Sequence, residues 1–267
     1  MDDLTALRGL YDREVRQREQ AGDPAYRLER DGPVLRLVGP GSRAHENAVV
    51  WADLDERTAG AGIARQVAFF AGLGRAFEWK LYEHDRPGDL AARLQAAGLE
   101  AGAEETLVAL EVARAPGLAR ALPAGVTLRR LVDPGALEPL VALNAAVYGD
   151  PGEARWLIES LQAELRACPG ALRVWAAFAG QEAISAGWAR FPGGSAFGSL
   201  WGGATRAEWR ARGVYSALVA ARIEDARELG RAWLAVDCSP HSLPILRRRG
   251  FRPVARTTPW VWRPAAG

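Results

Sequence analysis

The sequence predicts an α/β protein with two similar halves, each a mixed, mostly antiparallel sheet flanked by helices. Three observations lead to this prediction: the order of strand-like and helix-like segments in the second half, a repeat of short sequences between the halves, and a glycine-containing loop between a strand and a helix. The chain has 267 residues, of which 49% are hydrophobic. That length fits one large domain or two smaller ones, and the pattern of segments favours two.

The second half carries a complete series of strands and helices. Apolar residues recur at strand or helix spacing, and glycine and proline mark the breaks between segments. The resulting order is β-α-α-β-β-β-α-β-α-β-β. The predicted strands are 126–131, 172–179, 182–191, 197–205, 233–238, 251–256 and 259–262, and the predicted helices are 135–147, 154–168, 213–229 and 242–249.

The first half has part of the same order. Leu73-Gly74-Arg75-Ala76 returns as Leu229-Gly230-Arg231-Ala232, and Gly98-Leu99 matches Gly250-Phe251. The separations are 156 residues (229 less 73) and 152 residues (250 less 98), which indicates an internal duplication. A linker with Pro and Gly is predicted at 113–124. The boundary is set near Leu118, so that the halves are 1–117 and 118–267.

The first half is also divided into elements by the same criteria. Helices are expected at 4–19 and 63–73, strands near 25–28 and at 34–38, 48–54 and 77–83, and further regular segments at 90–97 and 107–111.

Composition excludes several classes of function. Thirty-four basic and thirty-two acidic residues are interspersed and give a net charge of +2, which does not favour nucleic-acid binding. Cys168 and Cys238 have unlike contexts, so neither a disulfide framework nor a metal site is expected. No apolar run approaches the length of a membrane helix, and the first twenty residues do not resemble a signal peptide. A cytoplasmic protein that does not bind membranes is expected.

The candidate site is the loop R-A-R-G-V-Y, from Arg210 to Tyr215, between a strand and a helix. The first amides of a helix have no partners within the helix, and the helix dipole adds partial positive charge, so such a loop can bind phosphate. Gly213 lets the backbone approach a diphosphate without a Cβ, and the charges of Arg210 and Arg212 add to the attraction. The alternative is an arginine-rich surface turn.

This loop resembles the acetyl-CoA loop of the GNAT superfamily, Gln/Arg-x-x-Gly-x-Gly/Ala, in which Arg210 and Gly213 match and Tyr215 departs. A second segment, from Ser239 to Phe251, is similar to the family's N-x-x-A-x-x-x-Y-x-x-x-G-F, and the final Gly-Phe pair matches. The resemblance extends from Val126 to Arg263 and includes the order of elements.

The resemblance implies a GNAT N-acetyltransferase that uses acetyl-CoA as co-substrate, without a metal. It implies a V-shaped splay between the fourth and fifth strands that admits the pantetheine arm, and direct attack of a primary amine in a ternary complex. The implied acyl-CoA residues are Gly203, Ala204 and Thr205 on the fourth strand, Arg210, Ala211, Arg212, Gly213, Val214, Tyr215 and Ser216 in the loop and helix, and Ser239 and Ser242.

Two departures affect the expected mechanism. The family's asparagine is Ser239 here, and the tyrosine that often protonates the leaving thiolate is Leu246. A thiol of pKa about 8.5 leaves as thiolate near pH 7 at a cost of about 2 kcal/mol, whereas deprotonating an amine of pKa about 10.4 costs about 4 to 5 kcal/mol. A general base therefore matters more. The candidates are Asp237 and His241; alternatively, Asp237 caps a strand end and His241 is an exposed residue before a helix.

The first half contains a literal R-x-x-G-x-G match at Arg57–Gly62, but Asp53, Asp55 and Glu56 lie beside it. We therefore expect a degenerate copy. The segment Phe77–Tyr82 resembles the front half of a bacterial family of tandem GNAT proteins. The acceptor is expected to be a small-molecule or peptide amine, and the protein a monomer or homodimer. The alternative function is a non-catalytic acyl-CoA binding or sensing protein.

Overall fold

The computed structural model describes residues 3–116 and 122–264. The chain divides into two compact units. The first unit contains Met1–Val108, Asp237–Leu243 and Pro253–Gly267, and the second contains Ala109–Val236 and Pro244–Arg252. The boundary predicted near Leu118, and part of the predicted linker, lie outside the described residues.

The elements of the first part of the chain begin with a helix and continue mainly as strands. They are α1 (Asp3–Tyr11), which continues as a π-helical turn (Asp12–Arg16), then β1 (Arg27–Asp31), β2 (Val34–Val38), β3 (Asn47–Ala52), α2 (Ala59–Gly72), β4 (Phe77–Tyr82), α3 (Leu90–Ala96), β5 (Glu100–Ala101) and β6 (Glu105–Glu111).

The remaining elements follow the order predicted from the sequence. They are β7 (Val126–Leu131), α4 (Pro139–Tyr148), α5 (Pro151–Ala167), β8 (Leu172–Ala179), β9 (Glu182–Arg190), β10 (Phe197–Thr205), α6 (Val214–Glu228), β11 (Trp233–Cys238), α7 (Leu243–Arg248) and β12 (Arg252–Trp262).

Each unit has a mixed, mostly antiparallel sheet, as predicted. In the second unit the strands neighbour one another in the order β11-β10-β9-β8-β7. Three of these pairings are antiparallel and β10–β11 is parallel. In the first unit the order is β1-β2-β3-β4-β12, and β3–β4 is the parallel pair. A series of two antiparallel pairings followed by one parallel pairing thus occurs twice in the chain, as β1-β2-β3-β4 and as β8-β9-β10-β11.

The repeated sequences form the same local structures. Gly74 and Gly230 both have φ +63° just after a helix. The next residue in each half donates its amide to the carbonyl five residues earlier, at 2.9 Å, from Arg75 to Phe70 and from Arg231 to Ala226. This is a Schellman-type helix end, which favours glycine because the left-handed conformation crowds a Cβ. The predicted duplication is confirmed at this position.

The arginine that follows each of these glycines has the same role. The Nη1 of Arg75 donates to the carbonyl of Gly39, and the Nη1 of Arg231 donates to the carbonyl of Ser195. Both carbonyls precede the strand that pairs in parallel in that unit. The guanidinium therefore joins the end of the helix to the loop that leads into that strand in both units.

Three details differ from the sequence predictions. The first strand begins at Arg27 rather than residue 25, because Asp23 accepts the amides of Ala25 and Tyr26 and holds a turn there. The helix predicted at 135–147 begins at Pro139, since a separate 3-10 turn precedes it and proline lacks the amide that would continue a helix. The last two predicted strands form one strand, β12.

The continuity of β12 has a clear cause. Thr257 and Thr258, which separate the two predicted strands, pair with Tyr82 and Leu81 of β4, and Pro259 pairs with Lys80. β-Branched threonines favour extended backbone. Pro259 was predicted to begin a separate strand, but the pairing is continuous through it to Trp262.

Each unit has its own hydrophobic core. In the second unit, side chains of α4 and α5 pack on β8 and β9, and in the first, side chains of α2, α3, β3 and β4 pack together with Trp260. Within the described residues, no helix is both long enough and apolar enough to span a bilayer.

Candidate functional site

Strand β10 is bulged where the resemblance places the pantetheine arm. Trp201 pairs with Trp188 and Gly202 with Gly187, but the next pair is Ala204–Ala186, so Gly203 is an extra residue. Gly202 has φ +70° and Gly203 has φ +114°. A bulge of this kind interrupts the ladder and redirects backbone groups, and these φ values favour glycine.

Strands β10 and β11 pair over only part of their length. The parallel pairing joins Phe197 with Trp233 and ends at Ser199 with Ala235, whereas β10 continues to Thr205. Beyond Ser199 the strand keeps its pairing with β9. The two strands therefore diverge before the bulge, which is the V-shaped splay that the resemblance implies.

The predicted phosphate loop lies between β10 and α6. Ala211 has φ +58° and Gly213, the residue before α6, has φ +85°. No described side chain caps this end of α6, and its first turn contains no acidic residue. The first helical bond is from the Ala217 amide to the Gly213 carbonyl at 3.0 Å, so the amides before Ala217 have no partner within the helix.

The two loop arginines have different surroundings. Arg210 is exposed, and its Nε donates to the carbonyl of Thr205 at 3.1 Å, which ties the loop to the end of β10. Arg212 is also exposed, and its guanidinium lies 5.3 Å from the ring of Trp209. Both charges are therefore beside the uncapped helix end, and Arg212 has no salt bridge among the described residues.

Tyr215 connects the loop to the bulge. A Cβ added to Gly203 would lie 3.1 Å from the Cε2 of Tyr215, so the ring packs directly on the bulged backbone. The departure of Tyr215 from the small residue of the family motif is thus matched by a glycine opposite it. Tyr148, at the end of α4, is 62% exposed, and its hydroxyl interacts electrostatically with Tyr215 and Arg210.

Two carbonyl groups of the bulged strand already accept hydrogen bonds from side chains. Ser185 donates its hydroxyl to the carbonyl of Ala204 at 2.9 Å, and the Thr205 carbonyl accepts from Arg210. Ala204 and Thr205 are buried, and Gly203 is half-buried. Among the three residues predicted on this strand, Gly203 is therefore the most accessible to a ligand.

The segment after β11 contains the family's departures. Ser239 donates its hydroxyl to Ser242 at 3.4 Å just before α7. Leu246, in the position of the family's tyrosine, is only 1% exposed. Cys238 is also buried, and burial raises its pKa to about 11, so it stays a neutral thiol near pH 7.

Asp237 lies in a cluster of ionisable residues within the first unit. Its Oδ2 is 3.5 Å from the Nζ of Lys80, which is 2.6 Å from Glu105. The Oδ1 of Asp237 is buried and has no hydrogen-bond partner among the described residues. Burial raises the pKa of Asp237, Lys80 lowers it, and Glu105 raises it. The pKa of the neighbouring Glu78 is raised, mainly by burial.

The cluster includes residues that the sequence analysis did not select. Glu78 and Lys80 alternate along β4 with the buried Phe77 and Trp79, so they share one face of the strand. The separation of Glu78 and Lys80 by two residues within a predicted strand was the sequence signal that could have identified them. His241, the other candidate base, is exposed in the turn before α7.

At the R-x-x-G-x-G match in the first half, backbone amides are already bonded to the side chain of Asp55. The Oδ1 of Asp55 accepts from the amides of Arg57 and Thr58 and from the Thr58 hydroxyl, at 2.7 to 3.0 Å. These amides lie before α2, where a phosphate would need them. A Cβ on Gly62 would lie 3.0 Å from Leu54, so this glycine serves helix packing.

The gap between β3 and β4 is filled as well. These strands pair at Ala48–Glu78 and Val49–Trp79, and beyond that point Arg16 contacts both of them. Its Nε donates to the Val50 carbonyl at 3.3 Å, and its guanidinium lies 3.9 Å from the ring of Tyr82. Asp12 and Asp85 neutralise the charge. The first unit therefore closes its own splay with a buried ion-pair network.

Solved structures resemble this chain over nearly its full length. A GCN5-related N-acetyltransferase from Kribbella flavida aligns with a TM-score of 0.68 and 16% identity, covering 99% of this chain and 95% of that chain. A tandem GNAT protein from the clavulanic acid biosynthesis pathway aligns with a TM-score of 0.64 and 16% identity, covering 92% and 85%. The chain has the tandem GNAT fold. No protein-family model matches the sequence, and no curated protein gives a significant match.

The tandem GNAT fold gives the two units comparable parts. In the second unit, β10 and α6 are the fourth strand and third helix, between which the family's acetyl-CoA loop lies. In the first unit, β3 and α2 take the same places. A protein of unknown function from Staphylococcus epidermidis has the same fold, with a TM-score of 0.65, 9% identity, and coverage of 90% and 94%. Across the described ranges, no group of His, Cys, Asp and Glu could hold a metal ion.

Proposed function

We propose that the protein is an acetyl-CoA-dependent N-acetyltransferase that transfers acetyl to a primary amine of a small molecule or peptide. The observation that carries this proposal is the uncapped end of α6, with Gly213 in a left-handed conformation, beside the bulged and splayed strand β10. The loop residues 210–213 are exposed, as a diphosphate site requires, and the bulge would offer backbone groups to an extended arm. The tandem GNAT fold of the chain agrees with both.

The loop fits a diphosphate by charge and by geometry. The diphosphate would bind the amides of Val214, Tyr215 and Ser216, together with those of the loop from Arg210 to Gly213. Arg212 would add charge, and Arg210 would hold the loop on the strand. The pantetheine arm would follow β10 at Gly203, with Ala204 and Thr205 behind it. Ser239 and Ser242 remain proposed contacts at the start of α7.

Acetyl transfer requires a proton acceptor for the amine. The nitrogen attacks the thioester carbonyl, the carbon–sulfur bond breaks after the tetrahedral intermediate, and the amine proton passes to a base. We propose Asp237 as this base, because burial raises its pKa and its Oδ1 accepts no hydrogen bond from the residues that the structure describes. A carboxylate with a raised pKa is a stronger base at neutral pH. His241 is the second candidate base, since it is exposed and lies close to Asp237 in the sequence.

The leaving thiolate has no tyrosine to protonate it at Leu246. Forming the thiolate of a thiol with pKa about 8.5 costs about 2 kcal/mol near pH 7. Water can therefore supply the proton after the carbon–sulfur bond breaks. The proposed mechanism therefore depends on one base and on positioning of the two substrates.

The test combines binding and turnover on the full-length protein. Calorimetry with acetyl-CoA should detect binding, and a thiol-release assay with a broad panel of primary amines should detect turnover. A protein that releases no more thiol with amines than without them would contradict the transferase proposal.

Two departures from the family pattern favour a second candidate, an acyl-CoA binding or sensing protein without turnover. The position of the family's tyrosine is a buried leucine, and the asparagine position is Ser239. This candidate predicts tight binding of acetyl-CoA and no thiol release with any amine in the panel.

A further inference from the structure

Arg222 is a charged residue in a position where the helix pattern requires an apolar one. It lies on the face of α6 that carries Leu218 and Val219, both buried, and it is itself only 1% exposed. Burial lowers its pKa. Because removing a charge from water is costly, a buried arginine in a helix–sheet core indicates a specific use.

The guanidinium joins the helix to two strands. Its Nε donates to the carbonyl of Leu218 at 3.1 Å, and its Nη1 donates to the carbonyls of Trp188 at 3.3 Å and Trp201 at 3.2 Å. Trp188 on β9 and Trp201 on β10 are directly paired. One side chain thus bridges both strands and α6.

These contacts lie at the start of the bulge. The pair after Trp201–Trp188 is Gly202–Gly187, and Gly203 then has no opposite residue. A Cβ on Gly187 would lie 2.9 Å from the Nη1 of Arg222. Glycine opposite the bulge therefore makes room for the guanidinium, which satisfies carbonyls where the ladder becomes irregular.

The same helix face also reaches the loop. Tyr215, two turns before Arg222, packs on Gly203 and is an electrostatic neighbour of the guanidinium. The start of α6, the bulge and Arg222 therefore form one connected set of contacts within the second unit.

We propose that Arg222 is a positioning residue of the acyl-CoA site, which holds the Gly202-Gly203 bulge in a fixed place relative to the start of α6. The inference rests on the proposed function for its ligand. Arg222 takes no part in the reaction. Its role is to keep the backbone that faces the pantetheine arm aligned with the loop that binds the diphosphate.

The test compares Arg222→Met and Arg222→Lys with Ile223→Ala, a change at the next buried residue of α6. Hydrogen exchange is measured at the amides of 201–205 and, as reference, at those of β8. We expect Arg222→Met to speed exchange at the bulge by about tenfold or more relative to β8 and to weaken acetyl-CoA binding to a similar degree. Ile223→Ala should not act selectively on the bulge.

Arg222→Lys keeps the charge but cannot reach all three carbonyls, so its effects should be intermediate. If Arg222→Met does not fold, the inference is tested on Arg222→Lys by the same comparison of hydrogen exchange at 201–205 with exchange at β8. Unchanged exchange at the bulge, or wild-type affinity for acetyl-CoA in a folded variant, overturns the inference about Arg222 and leaves the proposed function standing. Failure of the wild-type protein to bind acetyl-CoA overturns the proposed function, and with it this use of Arg222.

Discussion

Lys80 is the only lysine of the chain, and it lies between two carboxylates. Its charge lowers the pKa of Asp237, whereas burial and Glu105 raise it. The protonation of Asp237 is therefore controlled by residues far away in sequence. Composition could identify the lone lysine but not its partners, because the contact joins β4 to the end of β11.

These opposing effects predict shifts of the activity profile with pH. If Asp237 is the base, activity falls as pH drops through its pKa. Lys80→Met removes the charge that lowers this pKa, so the acid limb of kcat/KM should move to higher pH. Glu105→Gln removes a charge that raises it, so the limb should move to lower pH. Shifts in the same direction, or none, would exclude Asp237 as the titrating base.

Removing the carboxylate should separate activity from stability. Asp237→Asn should lower kcat/KM by about 100-fold or more, the usual contribution of a general base. The pKa of Asp237 is raised in the folded protein, so the stability linked to it is present at acid pH and is lost as pH rises through that pKa. Asp237→Asn should therefore melt at the same temperature as wild type or higher at pH 8. Full activity of Asp237→Asn together with a lower melting temperature would argue against this assignment. Loss of activity in His241→Gln but not in Asp237→Asn would favour His241 as the base.

At the scale of elements, helix α6 has a left-handed glycine at each end. Gly213 precedes it with φ +85°, and Gly230 follows it with φ +63°. Only Gly213 lies in the proposed phosphate loop. The two positions share the same backbone constraint and differ in their proposed role, so they form a matched pair for mutation.

Alanine at either glycine should cost about 1 to 2 kcal/mol of stability, because a Cβ is strained in the left-handed region. Gly213→Ala should in addition weaken acetyl-CoA binding by about tenfold or more, since the Cβ and the altered turn disturb the amides that face the diphosphate. Gly230→Ala should bind as wild type does. Calorimetry measures both, and an equal loss of affinity in the two variants would show that strain alone is responsible.

The elements of the second half were largely predictable from the sequence, because their signals are local. Strands β7, β8, β10 and β11 have the predicted bounds, since alternating apolar residues and flanking turns identify them. The loop at Gly213 was also predictable from its place between a strand and a helix. Arg222 was not, because its partners Trp188 and Trp201 belong to other elements.

At the scale of the whole molecule, one fold occurs twice, but the loops that precede α2 and α6 differ. No side chain of the described ranges caps the amides at the start of α6, whereas the amides before α2 donate to Asp55. The splay beyond β3 is filled by Arg16, whose charge is neutralised by Asp12 and Asp85. Duplication has therefore kept the backbone plan in the first half, while its own side chains occupy the places that correspond to those proposed for the ligand in the second half.

This difference predicts that the full chain binds a single molecule of acetyl-CoA. A carboxylate at the amides before α2 repels a phosphate, and displacing Arg16 would leave Asp12 and Asp85 without their buried partner. Titration calorimetry should give one site per chain, which Gly213→Val abolishes. Arg57→Ala, a change at the arginine of the R-x-x-G-x-G match in the first half, should leave both affinity and stoichiometry unchanged. Two sites per chain, or a lost site in Arg57→Ala, would mean that the first unit still binds the ligand despite its internal contacts.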